Sequence, residues 1–165
     1  MNIFLFLFNT INGDFMNLID VMSKKIIVGD IKDDIVKISN IMKDNDIGFV
    51  PIADGNKIVG VITDRDIVTK IISNNDIDAD ITSYMTKDII SVSSDSDISL
   101  VLDVMKKHKI KRLLITEDNK VIGIVSISDI LFCKIDTKLL SSIKEIWEVG
   151  PNIHKYETEI DEFYL

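Results

Sequence analysis

The strongest constraint on this 165-residue chain is that it repeats itself. Displaced by 63 residues, it matches itself without a gap. Met22 falls on Met85, Lys24 on Lys87, Ile26-Ile27 on Ile89-Ile90 and Asp34-Ile35 on Asp97-Ile98. Further along, Met42-Lys43 meets Met105-Lys106, Asn56-Lys57 meets Asn119-Lys120, Gly60 meets Gly123 and Asp66-Ile67 meets Asp129-Ile130. A glycine and an aspartate kept in one register within a shared apolar pattern mark an internal duplication.

Each copy opens on a short apolar run, Ile26 to Val28 or Ile89 to Val92. An amphipathic helix follows, its stripe formed by Ile35, Ile38, Ile41 and Met42, or by Ile98, Val101, Leu102 and Met105. Asp33 or Asp34 caps the first helix, and Ser96 or Asp97 the second. Two strands joined by Asp54-Gly55-Asn56, or by Glu117-Asp118-Asn119, make a hairpin. A second helix, Asp64 to Ile72 or Ile127 to about Phe132, closes the copy. The predicted fold class is α+β (α/β), with two pseudo-symmetric β-α-β-β-α units. The organisation expected is an apolar extension at 1–15, unit one at 16–72, a polar linker at 73–80, unit two at 81–134 and a helix with an acidic tail at 135–165. A unit of some 55 residues buries little apolar area alone, so the two should share one seam.

At 46 % hydrophobic, the chain can fill a core. Its net charge of −8 argues against DNA or RNA as a partner, because such binding runs on cations against phosphate. A lone Cys133 excludes an intrachain disulfide and suits a reducing, cytoplasmic setting. With His108 and His154 besides, it cannot assemble the usual structural zinc site. The run Ile3-Phe4-Leu5-Phe6-Leu7-Phe8 is far short of the roughly 20 apolar residues that span a bilayer, so no membrane association is expected. It reads either as an added strand or helix on the body, or as an extension upstream of a start at Met16.

The chemistry concentrates after each hairpin. Copy one reads Gly60-Val61-Ile62-Thr63-Asp64-Arg65-Asp66, and copy two Gly123-Ile124-Val125-Ser126-Ile127-Ser128-Asp129. A hydroxyl followed three residues later by an acid is the spacing of a capping box. The same helix start offers free N–H groups to a phosphate, and an aspartate there can accept both hydroxyls of a ribose. The spacing leaves both readings open.

These residues resemble a tandem cystathionine-β-synthase (CBS) domain pair over about 70 % of the chain, from Asn17 to Phe132. Asp20-Val21-Met22, Gly48-Phe49-Val50-Pro51-Ile52 and Gly60 to Asp66 carry the likeness. It implies an adenosine-nucleotide sensor whose ligand lies at the cleft between the two units. By that resemblance Thr63 and Asp66, and Ser126 and Asp129, would hold the ribose. Ile26, Ile27, Val50, Pro51 and Ile52 would bound one adenine, and Ile89, Ile90, Leu113, Leu114 and Ile115 the other. Copy two departs from the pattern, with Leu114 in place of the proline and Ile127-Ser128 in place of Asp64-Arg65, which predicts a weaker or empty second site. No cofactor is required; the ligand expected is AMP, ADP, ATP, S-adenosylmethionine or a similar molecule.

The chain has two arginines, Arg65 in the first motif and Arg112 opening a strand of copy two. Both suit bidentate phosphate binding, while Arg65 has Asp64 and Asp66 as alternative partners. Lys24, Lys25, Lys87, His108, Lys109 and Lys111 are further cations, most of them expected to be solvated. No nucleophile–base–acid grouping stands in a recognisable context, so no enzyme is expected. Asp64 and Asp66 supply too few oxygens for a Mg²⁺ or Ca²⁺ site. Leu139, Leu140, Ile143 and Ile146-Trp147 recur at helical spacing up to Gly150-Pro151. The acidic tail beyond either frays or docks through Ile160, Phe163 and Leu165. The partners expected are a small nucleotide, a second copy of the chain and a protein target; the alternative is a ligand-independent dimerisation module.

Overall fold

The computed structural model describes residues 17–133 and Glu145. The extension at 1–15, the tail, and all of the helix expected after 135 except Glu145 lie outside the described residues.

Copy one begins with α1, Leu18–Val21, whose Leu18 and Val21 are buried. Strand β1 is Gly29–Asp30 and pairs parallel with β2, Phe49–Asp54, setting Gly29 against Ile52. The strand therefore follows the apolar run Ile26 to Val28 and does not coincide with it. The Ile38 side chain packs directly over the strand at Gly29, where a Cβ would lie 2.3 Å from Ile38 Cδ1; Val92 holds the equivalent position in copy two. In copy two β4, Ser91–Ser93, overlaps the run Ile89 to Val92 at Ser91 and Val92 and pairs parallel with β5, Arg112–Glu117.

Helix α2, Ile35–Asn45, buries Ile35, Ile38 and Met42, as its spacing predicts, while Ile41 is half-buried. Asp34 is the cap, accepting the Lys37 N–H at 2.7 Å. Asp33 instead accepts the Asp30 N–H and pairs with Lys37. In copy two α4, Ile98–His108, is capped by Asp97 and buries Ile98, Val101, Leu102 and Met105. Both helices end on a left-handed residue, Asp46 at φ 53° and Lys109 at φ 57°.

Strand β3, Lys57–Thr63, runs antiparallel to β2 through a turn at Gly55. Its counterpart β6, Lys120–Ser126, follows a two-residue turn with Asp118 and Asn119 both at positive φ, as a type I′ hairpin demands. The two sheets are β1-β2-β3 and β4-β5-β6.

The second helix of copy one departs from expectation. It is α-helical over α3, Asp64–Asp66, widens to a π-turn at Ile67–Ile71 and tightens to a 3-10 turn at Ile72–Asn74. Thr69 and Ser73 hydroxyls donate to the Arg65 and Thr69 carbonyls, and the Asn74 amide to the Lys70 carbonyl. These bonds accompany the irregular ladder within a β-branched run. Copy two has α5, Ile127–Cys133, here.

Two compact units emerge, one of Met22–Ser94 with Leu114–Ile124, the other holding Asp95–Leu113 with the segments up to Val21 and from Val125 onward. Within the first, Ile35, Ile38, Met42, Val50, Ile52, Ile62, Ile67, Ile71, Ile81 and Met85 form one apolar core. Ile81 and Met85 belong by sequence to copy two, so the leader of one copy completes the core of the other. Val61 and Thr86 exchange both backbone hydrogen bonds, and so do Ser23 and Ile124. Each leader methionine also lies against the other copy's glycine: a Cβ on Gly60 would meet Met85 Sδ at 2.6 Å, and one on Gly123 would meet Met22 Sδ at 2.4 Å.

Candidate functional site

Each motif sits where the hairpin's second strand turns into a helix. In copy one, Thr63 Oγ1 accepts the Asp66 N–H at 3.1 Å and donates to Asp66 Oδ2 at 2.6 Å. The same Oδ2 accepts the Thr63 N–H at 3.0 Å, completing a capping box. Copy two reproduces it, Ser126 Oγ and N–H donating to Asp129 Oδ2 at 2.6 and 2.7 Å. The capping reading of the spacing is thus realised in both copies. It consumes one carboxylate oxygen in each.

The other oxygen differs. Asp66 Oδ1 takes an ion pair from Lys70 at 2.6 Å, one helical turn on. Partial burial pushes the Asp66 carboxyl up, but the Lys70 ammonium and the Thr63 hydroxyl outweigh it and hold it below its ordinary value of 3.8. The position of Lys70 is taken by Cys133 in copy two. No ion pair or hydrogen bond reaches Asp129 Oδ1 among the described residues. Lys70 is a residue that the motif reading passed over; an acid four residues before a lysine on a helix was the available signal.

Arg65 is exposed and pairs with neither Asp64 nor Asp66 among the described residues. Asp64 is turned instead to its own helix start, accepting the Arg65 backbone N–H at 2.7 Å. Its carboxylate fills the space over Gly48, where a Cβ would lie 2.3 Å from Asp64 Oδ2. In copy two Lys111 and Ile127 replace this glycine–aspartate couple, and Lys111 accepts the Ile127 N–H in the same backbone contact.

The residues expected around a base fall into two groups. Ile26, Ile27, Ile89 and Ile90 are half-buried and precede the first strands. Val50, Pro51, Ile52, Leu113, Leu114 and Ile115 are buried in β2 and β5. Val50 and Ile52 point into the apolar core, which by strand alternation leaves Pro51 for the opposite face. Arg112 is exposed at the start of β5, and Lys24, Lys25, Lys87, His108, Lys109 and Lys111 are exposed too. Among the described residues no group of three His, Cys, Asp or Glu side chains could hold a metal ion. No helix there is long and apolar enough to cross a membrane.

Comparison with known proteins bears on this arrangement. The family model described as CBS domain matches twice, at residues 18–73 and 79–135. An uncharacterized 17.7 kDa protein in the bps2 3′ region of Acidianus ambivalens is 39 % identical over 110 residues, 66 % of this chain and 66 % of that protein. The chain thus spans about two thirds of that relative. The structure of the CBS domain pair of protein MJ0100, in complex with 5′-methylthioadenosine and S-adenosyl-L-methionine, superposes with a TM-score of 0.66. It is 29 % identical, over 72 % of this chain and 94 % of that one. The CBS domain protein TA0289 of Thermoplasma acidophilum, 24 % identical with a TM-score of 0.71 over 81 % of this chain and 75 % of that one, shares the fold.

Proposed function

Since the chain belongs to the CBS domain family, with two copies of the domain, we propose that it is a non-catalytic regulatory module binding an adenosine-containing ligand. AMP, ADP, ATP and S-adenosylmethionine are the candidates. The carrying observation is the doubled hydroxyl–carboxylate pair, Thr63–Asp66 and Ser126–Asp129, at two equivalent strand-to-helix turns. A solved relative with 5′-methylthioadenosine and S-adenosyl-L-methionine bound supports the choice of ligand class. In this reading the two aspartates take ribose hydroxyls. Ile26, Ile27 and the strand Val50-Pro51-Ile52 bound one base; Ile89, Ile90 and Leu113-Leu114-Ile115 bound the other. Arg65 and Arg112 face phosphate.

The hydrogen bonding of the two aspartates supports a ranking of the sites in this reading. A ribose hydroxyl would share Asp66 Oδ1 with the Lys70 ammonium, whereas Asp129 Oδ1 has no competitor among the described residues. Copy two is therefore the tighter ribose site despite its departures from the sequence pattern. Units at 16–72 and 81–134, joined by the linker at 73–80, act together in a reducing cytoplasm. Ligand binding shifts self-association into a homodimer, or docking on a protein target, through its differential affinity for two states.

Titration calorimetry against AMP, ADP, ATP, S-adenosylmethionine, NAD and cyclic dinucleotides tests this. Heat from at least one, abolished by Asp66→Ala with Asp129→Ala, is expected. Silence across the panel, or undiminished binding in the double variant, rejects it. The completed capping boxes favour a second reading, a dimerisation module without a ligand. There each aspartate contributes about 1 kcal/mol of stability and its loss changes no binding.

A further inference from the structure

We infer that the acidic tail of the chain, residues 157–162, docks on a basic surface that copy two carries and copy one lacks. Residues 106–112 read Lys-Lys-His-Lys-Ile-Lys-Arg and place five of the chain's 19 lysines and arginines in seven positions. All but Ile110 are exposed. In the register of copy one, residues 43–49, stand Lys43, Asp44 and Asp46, so the sign of the charge is reversed. The backbone is the same in both: a helix end, a left-handed cap at Asp46 or Lys109, then a strand. A helix dipole accounts for Lys106, Lys107 and His108 in the last turn, but not for Arg112 beyond it.

Two observations name the occupant. Lys106 is ion-paired with Glu145, which sets that residue at the edge of the patch. Lys107, Lys109 and Arg112 have no acidic partner among the described residues. The tail supplies one, with Glu157, Glu159, Asp161 and Glu162 interleaved with Ile160 and Phe163. On α4 the basic end continues into an apolar face, because Leu100, Val104 and Lys107 lie on one helical stripe and Leu100 is 48 % exposed. A mixed acidic and apolar segment matches that surface. About a dozen residues separate Glu145 from Glu157, enough to reach about 40 Å when extended. A polynucleotide would meet the same cations, but the −8 of the whole chain opposes it.

The test is zero-length carbodiimide crosslinking of the full chain, read by mass spectrometry. Amide links between Lys107 or Lys109 and residues 157–162 are expected at a yield independent of protein concentration. The yield should fall about fivefold between low salt and about 1 M, where the screening length shrinks to roughly 3 Å. Absence of those links, or a yield that rises with concentration because the tail reaches a second copy, overturns the proposal. A tail variant, Glu157→Gln with Glu159→Gln, Asp161→Asn and Glu162→Gln, leaves the core untouched. It should uncover the patch and elute later than the wild type from immobilised heparin; identical elution also overturns the proposal.

Discussion

At the scale of single residues, the two motif aspartates carry the most information, because one carboxylate oxygen caps a helix in each while the other is ion-paired with Lys70 in Asp66 and has no partner among the described residues in Asp129. Lys70→Met should free Asp66 Oδ1 and tighten ligand binding at copy one. An increase of about tenfold would correspond to some 1.4 kcal/mol, read by calorimetry in an Asp129→Ala background. The Asp66 carboxyl is held below its ordinary 3.8 in the folded state. Its contribution to stability is thus complete above that value and lost as pH falls through the lower folded value. Urea midpoints of wild type and Asp66→Asn should differ at about pH 6 and converge on acidification below about pH 4. The hydroxyl and carboxylate were legible as a pair from their spacing alone. The Lys70 contact was equally local and was passed over, since a motif search attends to the shared residues and Lys70 is one that the copies do not share.

Among the elements, what could be read was whatever depends on neighbours within one turn or one hairpin. The Asp34 and Asp97 caps, the buried stripes and the turns at Gly55 and Asp118-Asn119 all depend on such spacings. The first strand of copy one follows its apolar run and that of copy two only overlaps its own, because parallel pairing with β2 or β5 is long-range and no local spacing encodes its register. The π-turn at Ile67–Ile71 was hidden because its hydroxyl-to-carbonyl bonds are of a kind that leaves α2 regular, where Ser39 donates to the Ile35 carbonyl. Two substitutions probe these contacts. Gly48→Ala should cost about 1–3 kcal/mol by overpacking, and Asp64→Ala should recover much of it, as a double-mutant cycle in urea would show. Gly123→Ala should cost a similar amount, about 1–3 kcal/mol, and respond less to Met22→Ala, because the Ser23 carbonyl lies 3.1 Å from the added carbon as well.

For the whole molecule, the duplication announced that two similar units exist, but not that they trade segments. That exchange joins residues some 25 to 100 positions apart, such as Val61 with Thr86 and Ser23 with Ile124, and no local pattern encodes it. Ligand binding should register at this scale too. At about 100 times its dissociation constant, a ligand adds about 2.7 kcal/mol to folding stability, a rise in thermal midpoint that Asp66→Ala with Asp129→Ala should erase. The traded leaders also say something about descent. A lone ancestral repeat would have presented a hairpin glycine with no methionine to cover it, and a methionine with no glycine to receive it. Two identical chains could have satisfied both needs by mass action, each lending its leader to the other. Joining two copies in one chain makes such an encounter a unimolecular closure, governed by linker length and not by how much protein the cell makes.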